Sequence, residues 1–432
     1  MKKKFTVAVA MAAAVALVAT ACGTPKEEDV FTGEKADVPK WQAHLDCISP
    51  KVYSDVSELE LEPGTYISVI GKQAGTAYWE QVKAGVKQAA ADINEHLGYK
   101  GEDKIKVLYN APSDGENIDE QVNILDEELS RYPDVIAISS IDENASAVQF
   151  DLAAENGIPI VAFDSQNSYM GIQCTCMTDN VAAAKTGAVK LAEKIGGSGE
   201  IVLLAQDSVS GTAKARTEAF RSELETNYPD IQIVETIYMD QMDRLKRQVA
   251  AESLGVSQEQ MEAWILEASG AEKSDGDEVG DQTADLESVV AEDESLSEEA
   301  RTRLEEIFAK ANKLTAEEAV AQKLEKYPNL KGCFAVNADS LSLGVKAIDA
   351  LGTESDCVLM GFDAGKSQVS ALKAGKIDGI VVQNPFGIGY STVVAAARTV
   401  LQIGNEAFVD TGYTWVDQEN LETDSVKGML YE

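Results

Sequence analysis

Histidine is nearly absent from this sequence: His44 and His96 are the only two in 432 residues. Cysteine is sparse too, at six. Cys174 and Cys176, two apart in a predicted strand, suit neither a mutual disulfide nor a zinc site without further ligands. With only His44 and His96 available as further ligands, no metal site is expected. Leaving Cys22 aside, Cys47, Cys174, Cys176, Cys333 and Cys357 make an odd number, which argues against a full disulfide framework. Most of them read as small buried hydrophobes. The sequence also lacks a Gly-x-Ser-x-Gly elbow, a Walker phosphate loop and a Gly-x-Gly-x-x-Gly fingerprint. Basic residues are short: 37 against 73 acidic, a net charge of −36. A chain so charged repels nucleic-acid phosphates, and nucleic acid is excluded as a partner. Beyond the N-terminus no apolar run is long enough to span a bilayer.

What is present begins with a targeting segment. Lys2, Lys3 and Lys4 form a positive start, Phe5 to Val18 is apolar, and Ala19-Thr20-Ala21-Cys22 follows. This resembles a bacterial lipoprotein lipobox, with Ala19 where Leu is usual, and implies that Cys22 is the lipidated N-terminus of the mature protein. Residues 23–63 are polar and carry Pro25, Pro39, Pro50 and Pro63. They read as a tether and a loosely ordered lead-in.

With 432 residues, of which 44% are hydrophobic, two domains with sizeable cores are expected. The stretch from Gly157 to Asp164 sets the pattern. It is a continuous apolar run, rich in β-branched residues, ending abruptly in an acid. Such a run predicts a strand buried on both faces, as in parallel sheets covered by helices. Strands at Tyr66–Ile70, Ile105–Tyr109 and Asp134–Ser139 alternate with helical periodicities before it. The alternation restarts after Gln173–Met177, which reads as a strand crossing to a second lobe. The fold class is therefore α/β, with two doubly wound parallel-sheet lobes joined by a hinge. The expected lobes are 64–172 with 384–412, and 173–383 with 413–432.

An acidic stretch, 252–314, interrupts the second lobe. Ser257 with Gln260 resembles a capping box, and Leu304, Ile307, Phe308 and Ala311 have helical spacing. Two helices around a Gly/Asp-rich loop are predicted. The aspartates near Gly276 do not make a twelve-residue calcium loop with a terminal Glu.

In open α/β sheets, ligands bind beyond the carboxyl ends of the strands. Polar or aromatic residues recur there: Tyr78 and Trp79, Asp164 with Ser165, Arg216, Asn337 and Asp339, Asp363, and Gln383. Carboxylates, amides and a guanidinium fork read hydroxyls in pairs, and aromatic rings stack on the C–H face of a ring. The mixture points to a sugar.

The segments TAYWEQVKAG, GIPIVAFDSQ, MTDNVAAAKTGA, RTEAF, NADSLSLGVKAI, LMGFD and VVQNPFGIGY, in that order, resemble the type I periplasmic-binding-protein family. They look closest to ribose/galactose-type sugar-binding proteins of ABC importers. The resemblance implies a clamshell that binds a monosaccharide and presents it to a membrane permease, with no catalysis and no cofactor. It implies that Tyr78 and Trp79 sandwich the sugar ring, and that Asp164, Arg216, Asp363 and Gln383 bind its hydroxyls. Met242 falls where the family often has another aromatic. Thr76, Ser165 and Ala338 depart from the family's usual residues, which bears on which sugar is bound. Repressor effector domains share the fold, but the export signal and acidity exclude that role. The alternative is a sensor of the same fold signalling to a chemoreceptor or histidine kinase. An extracytoplasmic, lipid-anchored location at the cell envelope is expected.

Overall fold

The computed structural model describes residues 41–113, 117–269, 283–292, 296–352 and 356–431. The signal segment, Cys22, the tether to residue 40 and the acidic loop 270–282 lie outside these.

Two six-stranded sheets organise the chain. The first holds β1 (Tyr66–Ile70), β2 (Lys106–Asn110), β3 (Val135–Ile138), β4 (Ile160–Phe163) and β5 (Ile172–Met177). The second holds β6 (Gly199–Ala205), β7 (Ile231–Tyr238), β8 (Leu330–Ala335), β9 (Val358–Phe362) and β10 (Gly379–Gln383). Near the end of the chain, β11 (Phe408–Asp410) returns to the first sheet beside β5, and β12 (Tyr413–Val416) joins the second antiparallel to β10. The spatial orders are β2-β1-β3-β4-β5-β11 and β7-β6-β8-β9-β10-β12. Both lobes thus share one doubly wound plan. Their inner strands are fully buried, as β3, β4 and β10 show, and apolar apart from Gln383 at the end of β10, because helices cover both faces.

Among the described residues the helices are, in chain order, α1 (Gln42–Asp46), α2 (Ala77–His96), α3 (Ile118–Leu129), α4 (Ala147–Glu155), α5 (Asn180–Lys194), α6 (Gly211–Asn227) and α7 (Met242–Ser253). Next come α8 (Gln258–Ser269), α9 (Thr283–Glu292), α10 (Glu298–Ala311) and α11 (Ala316–Leu324). The last are α12 (Ala338–Leu351), α13 (Lys366–Lys373), α14 (Pro385–Val400) and α15 (Asp424–Lys427).

Three expectations need correction. The strand Ile172–Met177 pairs with β4 and β11, so it belongs to the first lobe and the crossing falls after Met177. Sequence alone shows a strand there but not which sheet supplies its partners. The lead-in from Trp41 onward is packed rather than loose: Ile48, Tyr53, Leu59 and Leu61 are buried. Their irregular spacing follows neither a helical nor a strand period. In the acidic interruption a further helix, α9, lies between the two predicted. Its Leu286 and Val290, four apart, join Met261, Ile265, Leu304 and Phe308 in a core separate from those of the sheets. The Thr315–Glu318 capping box that starts α11 is complete.

The first lobe is closed by α14, buried along its face from Pro385 to Ala397. It lies against α2 with almost no gap. A Cβ on Gly85 would sit 2.0 Å from the Phe386 carbonyl oxygen, and one on Gly389 would sit 2.0 Å from that of Val82. Two glycines let the backbones touch. A methyl group at Gly389 must push the helices apart, so Gly389→Ala is expected to cost about 1–3 kcal/mol, read as a lower urea midpoint. An unchanged midpoint would show that the helices separate freely.

Candidate functional site

The carboxyl ends of both sheets face one cleft of about 590 Å³ between the lobes. Helix N-termini surround it, because each strand turns there into its following helix. Thr76 caps α2 by accepting from Trp79 N, Ser210 caps α6 through Ala213 N, and Asn337 caps α12 through Ser340 N.

Arg216, on α6, is 2% exposed. Its Nε donates to Asn180 Oδ1 at 2.8 Å, its Nη1 to the Val336 carbonyl at 2.6 Å and its Nη2 to Gln383 Oε1 at 2.7 Å. The guanidinium lies over the Phe362 ring, 4.2 Å from its centroid. Three of its five N–H groups are thereby used, leaving two for a ligand. Gln383 passes the network on, donating to Asp363 Oδ1 at 2.7 Å.

Asp164 follows β4, and Asp363 follows β9. Both adopt the left-handed backbone region, with φ of 60° and 77°. Asp and Asn visit that region more readily than other non-glycine residues, and such residues cluster at functional sites. Asp164 accepts from Tyr78 Oη at 2.5 Å and from Ser139 Oγ at 3.0 Å. Asp363 also accepts from Ala338 N at 3.0 Å and Tyr431 Oη at 3.2 Å. Burial pushes the Asp363 carboxyl above its usual range, opposed by the Arg216 guanidinium. Burial beside Asp164 and Asp363 likewise holds the Tyr78 hydroxyl well above its ordinary value.

Tyr78, Trp79, Asp164, Arg216, Asn337, Asp339, Asp363 and Gln383 all line the cleft. Asn337 Oδ1 is committed to its helix cap, so its NH2 is the group left for a ligand. Two expected residues do not line it. Ser165 is wholly buried and accepts from Thr212 Oγ1 at 2.9 Å, a contact between lobes. Met242 packs against the second lobe's core. It heads the α7 face that carries Leu245 and Val249 inward, at i+3 and i+7, so helical periodicity turns it away from the ligand side.

Sequence reading missed Lys72, Gln206, Asp207 and Tyr431, all in the cleft wall. Lys72 follows the end of β1, the same topological place that singled out Asp164. Burial pulls its ammonium below the usual lysine range, and Asp164 and Asp207 oppose the shift. Gln206 Oε1 is buried without a hydrogen-bond partner among the described residues. Tyr431 comes from the end of the chain, where no pattern marks it. The lining carries Lys72, Arg216 and Lys366 against Asp164, Asp207, Asp339 and Asp363. It is close to neutral.

Two α/β lobes of one plan, facing each other across a polar cleft, define a solute-binding protein of the two-lobed kind. The chain belongs to the periplasmic binding protein domain family, whose model matches residues 67–273 and 281–405. That is a family of solute-binding proteins, not enzymes. No curated protein sequence matches the chain. Among solved structures it is similar to a carbohydrate transporter solute-binding protein from Agrobacterium radiobacter in complex with D-arabinose. The identity is 22%, covering 85% of this chain and 98% of that one, with a TM-score of 0.62. An ABC transporter solute-binding protein from Agrobacterium vitis with bound D-fucose gives 22%, 85%, 100% and 0.60. An arabinose-binding protein from Geobacillus stearothermophilus gives 20%, 83%, 99% and 0.57.

The raised Asp363 pKa has a direct consequence for stability. A carboxyl that holds its proton more tightly when folded adds stability that is complete below the ordinary aspartate pKa and is lost as pH rises through the raised value. Asp363→Asn cannot titrate. Urea unfolding at stepped pH should therefore show the stability difference moving in the variant's favour as pH climbs from about 4 toward neutrality. A difference independent of pH would mean that Asp363 is not perturbed.

Proposed function

We propose that the chain is an extracytoplasmic solute-binding lipoprotein, anchored through Cys22, that captures a monosaccharide between its lobes and delivers it to the permease of an ABC importer. The observation that carries this reading is the near-neutral, polar cleft edged by two left-handed aspartates, one from each lobe, with Tyr78 and Trp79 beside them. An anion would meet four carboxylates there. A neutral polyol meets donors and acceptors in matched numbers, since each hydroxyl gives and takes one bond. Its volume lies within the roughly 300–1,000 Å³ usual for small-molecule sites. Proteins of the same fold hold D-arabinose, D-fucose and α-D-tagatopyranose, all monosaccharides.

In this reading Asp164, Asp339 and Asp363 accept from sugar hydroxyls, while Gln383, Arg216 and Lys72 donate to them. Asn337 contributes its NH2. Tyr78 and Trp79 flank the apolar face of the ring. Contacts to both lobes favour the closed form, and the ligand shifts the population toward it. The closed form is the one the permease receives.

A thermal-shift screen across pentoses, hexoses, polyols and nucleosides tests the class. A ligand at a hundredfold excess over its Kd stabilises the folded state by about 2.7 kcal/mol, which gives a clear shift. A shift with a nucleoside and with no sugar would overturn the sugar reading. With the sugar in hand, Arg216→Ala and Asp363→Ala are each expected to weaken affinity about 10- to 100-fold, the loss of a hydrogen bond to a charged group. Lys72→Met should weaken it to a similar degree while leaving the fold intact. Unchanged affinity in all three variants would remove the site from this cleft.

A further inference from the structure

The family match begins at residue 67, yet the segment before it is built into the hinge. Three stretches cross between the lobes: 178–180, 383–385 and 410–413. Asn384 lies in the second, directly after Gln383 and at the cap of α14, and is wholly buried. Its Nδ2 donates to the carbonyls of His44 and Thr411, both at 2.8 Å. That orientation makes Oδ1 the acceptor. It receives Gly387 N at 3.0 Å and His44 Nδ1 at 2.8 Å. His44 Nδ1 therefore carries the proton, and the amide has its full set of four bonds.

The same lead-in holds the third crossing. Ser49 and Asp410 exchange backbone hydrogen bonds at 2.8 and 3.0 Å. Asp410 Oδ1 in turn accepts from Gly412 N at 2.9 Å. Gly412 has φ of +81°, and a Cβ there would stand 2.9 Å from Cys47 Cβ, so the segments are in close contact. The His44 ring also packs on Phe386, with centroids 5.2 Å apart.

We propose that the lead-in from Trp41 to Tyr53 is a brace on the hinge, and that His44 is a positioning residue which, through Asn384, holds Gln383 in the cleft and favours the closed lobes. Hinge closure is taken up by φ/ψ changes in a few crossing residues. A segment bonded to two of three crossings biases that change, and apparent affinity scales with the fraction of molecules in the competent state. The ligand-affinity part of this inference rests on the sugar-trap reading above.

The test uses the full chain and two variants. His44→Phe keeps a ring against Phe386 but has no donor, and His44→Asn keeps a donor. Hydrogen exchange of the ligand-free protein is read at 384–388 and 410–412, and affinity is read with D-arabinose and D-fucose as probes. His44→Phe should raise exchange at both crossings about tenfold and weaken affinity about five- to tenfold, as expected for one net hydrogen bond. His44→Asn should recover most of both. Unchanged exchange at the crossings in His44→Phe, or no recovery in His44→Asn, overturns the proposal. So does a lowered melting temperature with affinity and crossing exchange unaltered, which marks a merely structural histidine. If the wild-type chain binds neither probe, the sugar reading is weakened on its own account and the exchange measurement still decides the brace.

Discussion

A buried guanidinium must be paired, because leaving an isolated charge away from water costs several kcal/mol. Arg216 meets this constraint with partners from three places at once: the start of α5, the end of β8 and the end of β10. Those places are the carboxyl ends of the second sheet and the first crossing. Its charge acts on Asp363, and Gln383 links the two by hydrogen bonds. The cleft wall is thus one connected polar network rather than a set of separate side chains. Networks of this kind are rigid when satisfied, and a rigid wall preorganises its unused donors for whatever enters.

The two lobes solve the same problem twice. In each, the strand order runs second, first, third, fourth, fifth, and an aspartate in the left-handed region follows the fourth strand. Asp164 is held by Tyr78 and Ser139 of its own lobe, and Asp363 by Ala338, Gln383 and Tyr431 of its own. A ligand that bonds both aspartates ties the lobes together. Residues of both lobes line the cleft, so its width depends on how the crossings set their separation. The bonds of Asn384 and Asp410 to the lead-in bear on that separation, although they lie outside the cleft.

Much of this was legible in sequence because burial on both faces leaves a simple signature. A run such as Ile160–Phe163 can only be a covered strand, and the polar residue that ends it must stand at the sheet's edge. Asp164, Asp363 and Gln383 followed from that rule alone. Lys72 obeys the same rule at the end of β1 and was missed because a lysine after a strand reads as a solvated residue. Tyr431 obeys no rule of local spacing; its place is set by the chain's return to Asp363 and Ala364. The strand Ile172–Met177 was misassigned because sequence shows alternation but not which sheet supplies the partner. Met242 was misplaced because the resemblance gave its position in order, while the packing of Leu245 and Val249 decides which way α7 faces.

The acidic interruption shows why such a fold tolerates a large addition. It enters between β7 and β8, where the crossover runs along the outside of the sheet. Its helices bury Leu286, Leu304 and Phe308 among themselves and against the end of α7. They take nothing from the cores beneath the strands, and the entropic cost of lengthening a connection grows only slowly with its length. The strong negative charge of the chain follows the same division. Four carboxylates in the cleft are nearly balanced by three cations, so most of the net −36 lies elsewhere in the chain. Net charge of that size speaks to solubility and to the exclusion of polyanions, whereas the cleft lining is close to neutral. The cleft can therefore suit an uncharged ligand even though the chain that carries it is strongly acidic.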